Sequence, residues 1–130
     1  MIERVYASAA MRKDNRFLAM HHIKKSTHQW RFPGGKVEPG ETSDQAVTRE
    51  LQEEIGVVPL GLLYLGQHST LVDGGLWTGH FYLVEAWGGE PRSLEPEKIG
   101  AIEFLSVDEL VNRGSHPEDV VAALVQARGI

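Results

Sequence analysis

The sequence predicts an α/β (α+β) fold, one domain over residues 1–130, in which central strands carry helices packed against them. Three observations predict it. Short apolar runs rich in β-formers alternate with turn residues over much of the chain. An interior segment between Thr42 and Gly56 carries a full set of helix start and stop signals, and a second helical pattern begins at Pro117.

From the start of the chain, residues 5–11 and 17–22 are apolar runs joined by the polar Arg12-Lys13-Asp14-Asn15, so they read as a strand pair. His21, His22, Lys24, Lys25 and His28 then form a basic stretch ahead of Trp30. It is either an exposed loop or, beside an acidic metal site, a receiver of outer phosphates. Adjacent histidines in a strand point to opposite faces, so at most one of His21 and His22 can line a site. Neither has the spacing partner that a histidine metal site needs.

Thr42 with Gln45 three residues later is a capping box, and Gly56 after Ile55 is a helix stop, so the segment between them is helical. Val47, Leu51 and Ile55 recur every four residues with Ala46 beside them, which gives an apolar stripe to lie on a sheet. Beyond it residues 58–65 and 76–87 are β-rich, and Asp73-Gly74-Gly75 is the hairpin turn between their extensions. Trp77, Phe81 and Tyr82 are read as sheet packing in preference to base stacking. A second turn at 88–91 leads through Leu94-Glu95-Pro96-Glu97-Lys98 to a strand at 101–105. Ser106 with Glu109 caps a short helix ending before Gly114. Pro117, followed by Glu118 and Asp119 in the first turn, starts a final helix that stops at Gly129.

Composition narrows the function classes. A net charge of −5, with no basic cluster interleaved with aromatics, argues against a stable nucleic-acid partner. The absence of cysteine excludes disulfides, thiol catalysis and thiolate metal sites. Charges interrupt the apolar stretch at the N-terminus and no run reaches membrane-spanning length, so the expected compartment is the cytoplasm, with no membrane partner.

The chemistry is carried by the helix that starts at Thr42. Glu50, Glu53 and Glu54 stand at i, i+3 and i+4, so three carboxylates converge on its polar face. Either this is a solvated acidic surface or it gathers hard oxygen ligands for Mg²⁺, with Mn²⁺ as a substitute. The flanking residues decide between the two. Gly35, five residues, Glu41, seven residues, Arg49-Glu50-Leu51, one residue, Glu53-Glu54, one residue and Gly56-Val57 form one continuous pattern. It resembles, without a departure, the signature of the Nudix hydrolases, a match expected by chance on the order of once in 10⁹ starting positions.

The resemblance implies an α/β/α sandwich with a mixed central sheet and this helix packed on it. It also implies hydrolysis of a phosphoanhydride bond in a nucleoside diphosphate linked to some group X. Glu53 and Glu54 are then the principal metal ligands, Glu50 a further ligand or the base that activates water, and the Gly34 carbonyl a candidate to complete the site. Arg49 and Glu41 match the orienting ion pair. Lys36 falls where relatives carry a lysine near the phosphates, and is otherwise an ordinary exposed lysine. Phe32, in the Phe32-Pro33-Gly34-Gly35 lead-in, joins His21, Lys36 and Asp119 among the candidate substrate contacts. Glu97 is the candidate extra ligand or base from outside the helix, with Glu95 second. Asp119 either reads a purine edge or simply complements the helix dipole, and the second role is preferred.

No proline stands where ADP-ribose hydrolases of the family tend to have one, since Val72 and Asp73 occupy that place, and Gly74 and Gly75 replace the tyrosine of dinucleoside polyphosphate hydrolases. The chain therefore resembles the compact MutT-like group, which converts (deoxy)nucleoside triphosphates to monophosphate and pyrophosphate and sanitises nucleotide pools. The alternatives are a Nudix hydrolase of nucleotide sugars or RNA 5′ ends, and a non-catalytic binding module. A closed apolar pocket near Trp30 and Phe104 would favour a free base. Sheet edges and Trp77 are candidate surfaces for a homodimer.

Overall fold

The computed structural model describes residues 2–24 and 29–128. Lys25 and His28 of the basic stretch, and the expected stop at Gly129, lie outside the described residues. Strand β1 (Ile2–Lys13) and strand β2 (Arg16–His22) are joined by Asp14 and Asn15, both at positive φ (54° and 59°), as a two-residue hairpin turn of matching twist requires. The expected strand pair is present at this turn but spans only Arg12↔Phe17 and Lys13↔Arg16.

Past that rung each strand has a distant partner. β1 runs parallel to β7 (Gly75–Val84) from Ile2↔Gly75 to Met11↔Val84, and β2 runs antiparallel to β9 (Ile99–Leu105). β3 (Trp30–Arg31) extends the sheet beyond β2, and β4 (Gly34–Lys36) pairs with β1 at residues 6–8. β6 (Leu63–Val72) joins β7 antiparallel through Asp73 and Gly74, which gives the path β3-β2-β1-β7-β6. The sheet is mixed because the parallel β1/β7 pair needs a long crossover, while its neighbours are antiparallel. The β-rich stretch 58–65 divides into β5 (Val58–Pro59), which forms a small ribbon with β8 (Trp87–Gly88), and the start of β6, which runs on to Val72.

Alternation along the strands sorts the core into two layers. On one face α1 (Ser43–Ile55) sets Val47, Leu51 and Ile55 against Ala9, Leu18 and Val84. Each of the three helix side chains is fully buried, worth about 1.5–3 kcal/mol apiece. On the other face Leu110 of α2 (Val107–Asn112) and Ala123 of α3 (Pro117–Arg128) meet Phe17, Phe32, Leu83 and Leu105. The layering is helix on sheet on helix, as expected. Phe81 and Tyr82 are buried in the sheet, whereas Trp77 stacks on Tyr6 at 5.4 Å and keeps about a third of its surface exposed.

Thr42 accepts the Gln45 backbone N–H while the Gln45 side chain accepts the Thr42 N–H, and Gly56 closes α1 at φ 71°. The first turn of α1 is also tied to the sheet, because the Tyr82 hydroxyl hydrogen-bonds both Ser43 and Asp44. The first turn of α1 is therefore fixed relative to the strands, while Gly56 closes its last turn locally.

Candidate active site

α1 turns through about 100° per residue, so Ala46, Glu50 and Glu54 form a line that flanks the buried line of Val47, Leu51 and Ile55. The sequence set all three glutamates on a polar face. Helix geometry separates them: Glu54 is only 5% exposed, whereas the Glu53 side chain is 54% exposed. Glu54 is held at this depth by the Gly34 N–H, which donates to its Oε1 at 2.8 Å.

Arg49 organises the remaining acids. Its Nε and Nη2 donate to the two oxygens of Glu41 at 2.8 and 3.0 Å, a bidentate fork that only a guanidinium makes. Nη1 donates to Glu50 at 3.0 Å and to Glu53 at 3.2 Å, and Nη2 reaches the Lys36 carbonyl at 3.0 Å. One side chain thus links the helix, two of its glutamates, β4 and the preceding loop.

The electrostatics follow from this arrangement. The Arg49 hydrogen bond, aided by the Glu38 N–H, holds the Glu41 carboxyl down at about 2. Burial pushes Glu54 up to about 9 against the opposing Gly34 hydrogen bond, with Glu50, Glu95 and Glu53 adding like charge. Burial also raises Glu50, with Arg49 working against it. A crowded set of half-desolvated carboxylates is unfavourable by itself and is relieved by a hard divalent cation, so the donor chemistry fits one. Among the described residues no three His, Asp or Glu side chains already stand in a ligand array, because Glu50 and Glu53 are both turned onto Arg49. Either carboxylate would have to swing off the guanidinium to turn its oxygens toward a cation.

The glycines ahead of the helix are required by close approach. A Cβ on Gly35 would fall 2.5 Å from the Glu50 carboxyl carbon. A Cβ on Gly34, at φ +154°, would fall 2.2 Å from the Ala7 carbonyl oxygen. Gly34→Ala is therefore expected to destabilise the fold by about 3 kcal/mol or more, near 10 °C in Tm, which thermal unfolding checks.

Of the two loop glutamates, Glu95 is the one whose charge reaches the helix acids. Leu94 N–H donates to the Glu54 carbonyl at 2.9 Å and Arg92 N–H to the Ile55 carbonyl at 3.1 Å, so the loop is fastened to the orphan carbonyls of α1. Glu95 follows directly and its charge bears on both Glu50 and Glu54, while Glu97 is exposed two residues further on. The signal available in the sequence was Leu94, an apolar residue placed to anchor the loop one position before Glu95; its side chain lies against Gly56.

The substrate candidates separate. Phe32 cannot offer its ring to a substrate, because it is 4% exposed and stacked on Phe17 at 6.1 Å within the core. Asp119 is 2% exposed instead of solvated at the helix start; its Oδ2 accepts the Phe32 N–H at 3.0 Å, with Arg31 Nε at 3.8 Å. His21 stacks on Trp30 at 4.9 Å and its Nε2 meets Gln29 Oε1 at 3.0 Å. Lys36 ends β4 with its residue exposed. Trp30 and Phe104 belong to opposite layers, Trp30 under the Arg113 guanidinium and Phe104 against Trp87, so the two do not line one apolar pocket that would favour a free base. A cavity of about 600 Å³ that sequence reasoning missed lies between β6 and α3, lined by Leu65, His68, Phe81, Glu118, Val121 and Val125. Only the non-local meeting of β6 with α3 creates it.

Comparison with known proteins gives a consistent result. A model of the NUDIX domain matches residues 3–124. The chain is 48% identical to the 8-oxo-dGTP diphosphatase of Escherichia coli over 49% of its own length and 50% of that protein, so it spans about half the length of that relative. It is 31% identical to the CTP pyrophosphohydrolase of Escherichia coli, covering 92% of this chain and 87% of that one. The crystal structure of a MutT NUDIX hydrolase from Burkholderia pseudomallei superposes with a TM-score of 0.85 at 30% identity, covering 95% of this chain and 98% of the other.

Proposed function

The chain belongs to the NUDIX domain family, and from that premise we propose that it hydrolyses a (deoxy)nucleoside triphosphate to monophosphate and pyrophosphate, with Mg²⁺ as the metal and Mn²⁺ able to substitute. The observation that carries this reading is the convergence of Glu50, Glu53, Glu54 and Glu95 around the edge of α1, with Arg49 poised to release two of them. The family generally uses divalent metals. Relatives named for 8-oxo-dGTP and for CTP support a free nucleotide as substrate, and a role in clearing unwanted nucleotides from the cytoplasmic pool.

Bound divalent ions would neutralise the phosphate oxygens, acidify water and align it for in-line attack on phosphorus. The chain supplies the rest. Glu54 from the buried flank of α1 and Glu53 from its exposed side would supply hard oxygens, with the Gly34 carbonyl as a further candidate. Glu54 would hold a cation in its deprotonated form, and Glu50, half-buried with a raised pKa, is suited to accept a proton from the attacking water. Arg49 takes the geometry of Glu41 as its reference and so sets where Glu50 and Glu53 can move. Lys36, exposed at the end of β4, is the candidate contact for outer phosphates.

Glu95→Gln is expected to lower kcat at least about tenfold and to raise the metal concentration needed for half activity, while Glu97→Gln stays within about twofold. Steady-state kinetics against Mg²⁺ checks this. The function itself is tested by offering common and oxidised nucleoside triphosphates beside nucleotide sugars, ADP-ribose and capped RNA, and identifying products by mass. Monophosphate plus pyrophosphate is the expected pair. Silence on every triphosphate would overturn the proposal.

A further inference from the structure

The geometry points to self-association of this chain through the free edge of β6, which pairs antiparallel with β6 of a second copy across a two-fold axis. β6 is the terminal strand of the sheet path, ten residues long, and among the described residues its ladder runs on one side only, to β7. Its outer edge presents a row of unpaired backbone donors and acceptors. Monomeric proteins blunt such edges with charges, proline or a covering element.

β6 has none of these. The strand reads LYLGQHSTLV, without an acid, a lysine, an arginine or a proline. The uncharged run is wider, since no Asp, Glu, Lys or Arg stands between Glu54 and Asp73 in a chain whose charged fraction is 24%. Apolar side chains on it face solvent: Leu63 is 60%, Tyr64 48%, Leu71 68% and Val72 38% exposed.

A second copy fits this edge better than an unrelated strand. The molecule carries net charge −5, so two copies repel except where charge is absent; β6 and β7 are both ten residues long and free of Asp, Glu, Lys and Arg, and of the two only β6 ends the sheet path. An isologous antiparallel pairing matches donors to acceptors with no further sequence requirement. The register shift between Tyr64 and Gly66 confines the even ladder to residues 66–72, so the axis passes at Ser69 and the two Ser69 side chains face one another. Leu71 of each copy then lies across from Gln67 of the other and loses its exposure. The two sheets become one.

Sedimentation velocity of the intact protein from low to high micromolar concentration tests this. The expected result is a shift from the 14.4 kDa species to twice that mass, with slowed amide exchange confined to 63–72. Ser69→Lys sets two ammonium groups together at the axis and is expected to weaken dimerisation at least about tenfold, with circular dichroism and hydrolysis unchanged. Val111→Lys, the same added charge on exposed α2, is expected to leave the dimer intact. A monomer at every concentration overturns the proposal, as does a dimer indifferent to Ser69→Lys, or β6 protection arising only when another protein is added. None of these outcomes depends on which nucleotide is hydrolysed.

Discussion

Glu54→Gln is expected to lower Mg²⁺-dependent hydrolysis by at least about 10³-fold, on the order of 4 kcal/mol, while making the metal-free protein more stable at neutral pH. The glutamine carbonyl still accepts the Gly34 N–H, so the local geometry is kept. The stability effect follows from the sign of the shift. The Glu54 carboxyl titrates at about 9 in the folded chain against an ordinary 4.5, so the folded state holds the proton more tightly than the unfolded state does. Its contribution is fully present below pH 4.5 and is lost as pH rises from there to 9. Near pH 7 that loss is about 3 kcal/mol, which glutamine, having no proton to release, does not incur. Thermal unfolding in chelator between pH 5 and pH 9 should show Tm falling for the native chain and flat for the variant. Adding Mg²⁺ should restore the native chain and leave the variant unmoved; a pH-independent Tm in chelator would refute the burial argument.

The second large effect is expected at Arg49. Arg49→Lys keeps the positive charge but loses the fork onto Glu41 and cannot also reach Glu50, Glu53 and the Lys36 carbonyl. Glu50 and Glu53 then lose their common reference point. Activity is expected to drop about 10²-fold, because an ångström of misplacement is enough to spoil in-line attack. The drop should fall on kcat, with KM for the nucleotide little changed. Stability should change far less than for Gly34→Ala, since the lysine still sits among acids. A lysine variant with near-native kcat would show that charge alone, without the fork, is what the site needs.

Local features of the fold were legible. The bounds of α1 follow from Thr42, Gln45 and Gly56, whose hydrogen bonds close within a few residues, and the same holds for Ser106 with Glu109 and for the turn at Asp73 and Gly74. Partners that meet across the chain were not. The apolar pattern of β1 says that both its faces are covered, yet nothing in it names β7 as a neighbour. The site divides along the same line. Arg49, Glu50 and Glu53 were read correctly as neighbours because they lie on one helix. The depth of Glu54 depends on which flank of α1 meets β4, and the choice of Glu95 over Glu97 depends on two backbone hydrogen bonds from Arg92 and Leu94. Phe32 was misplaced because its aromatic ring and its backbone N–H point to different duties, the ring to the core and the N–H to Asp119.

The parallel β1/β7 pairing also bears on how the chain folds. Ile2 cannot find Gly75 until everything between them, α1 included, has been gathered in, and such distant pairings close slowly. The caps of α1 are local and need no such distant pairing, although its buried face packs on β1 and β4. In the unfolded chain Glu54 is hydrated and ionised at neutral pH, whereas in the folded chain β4, paired with β1, covers it. Between pH 4.5 and 9 folding therefore takes up a proton at Glu54, and alkaline solution opposes the closure of β4 over this acidic edge.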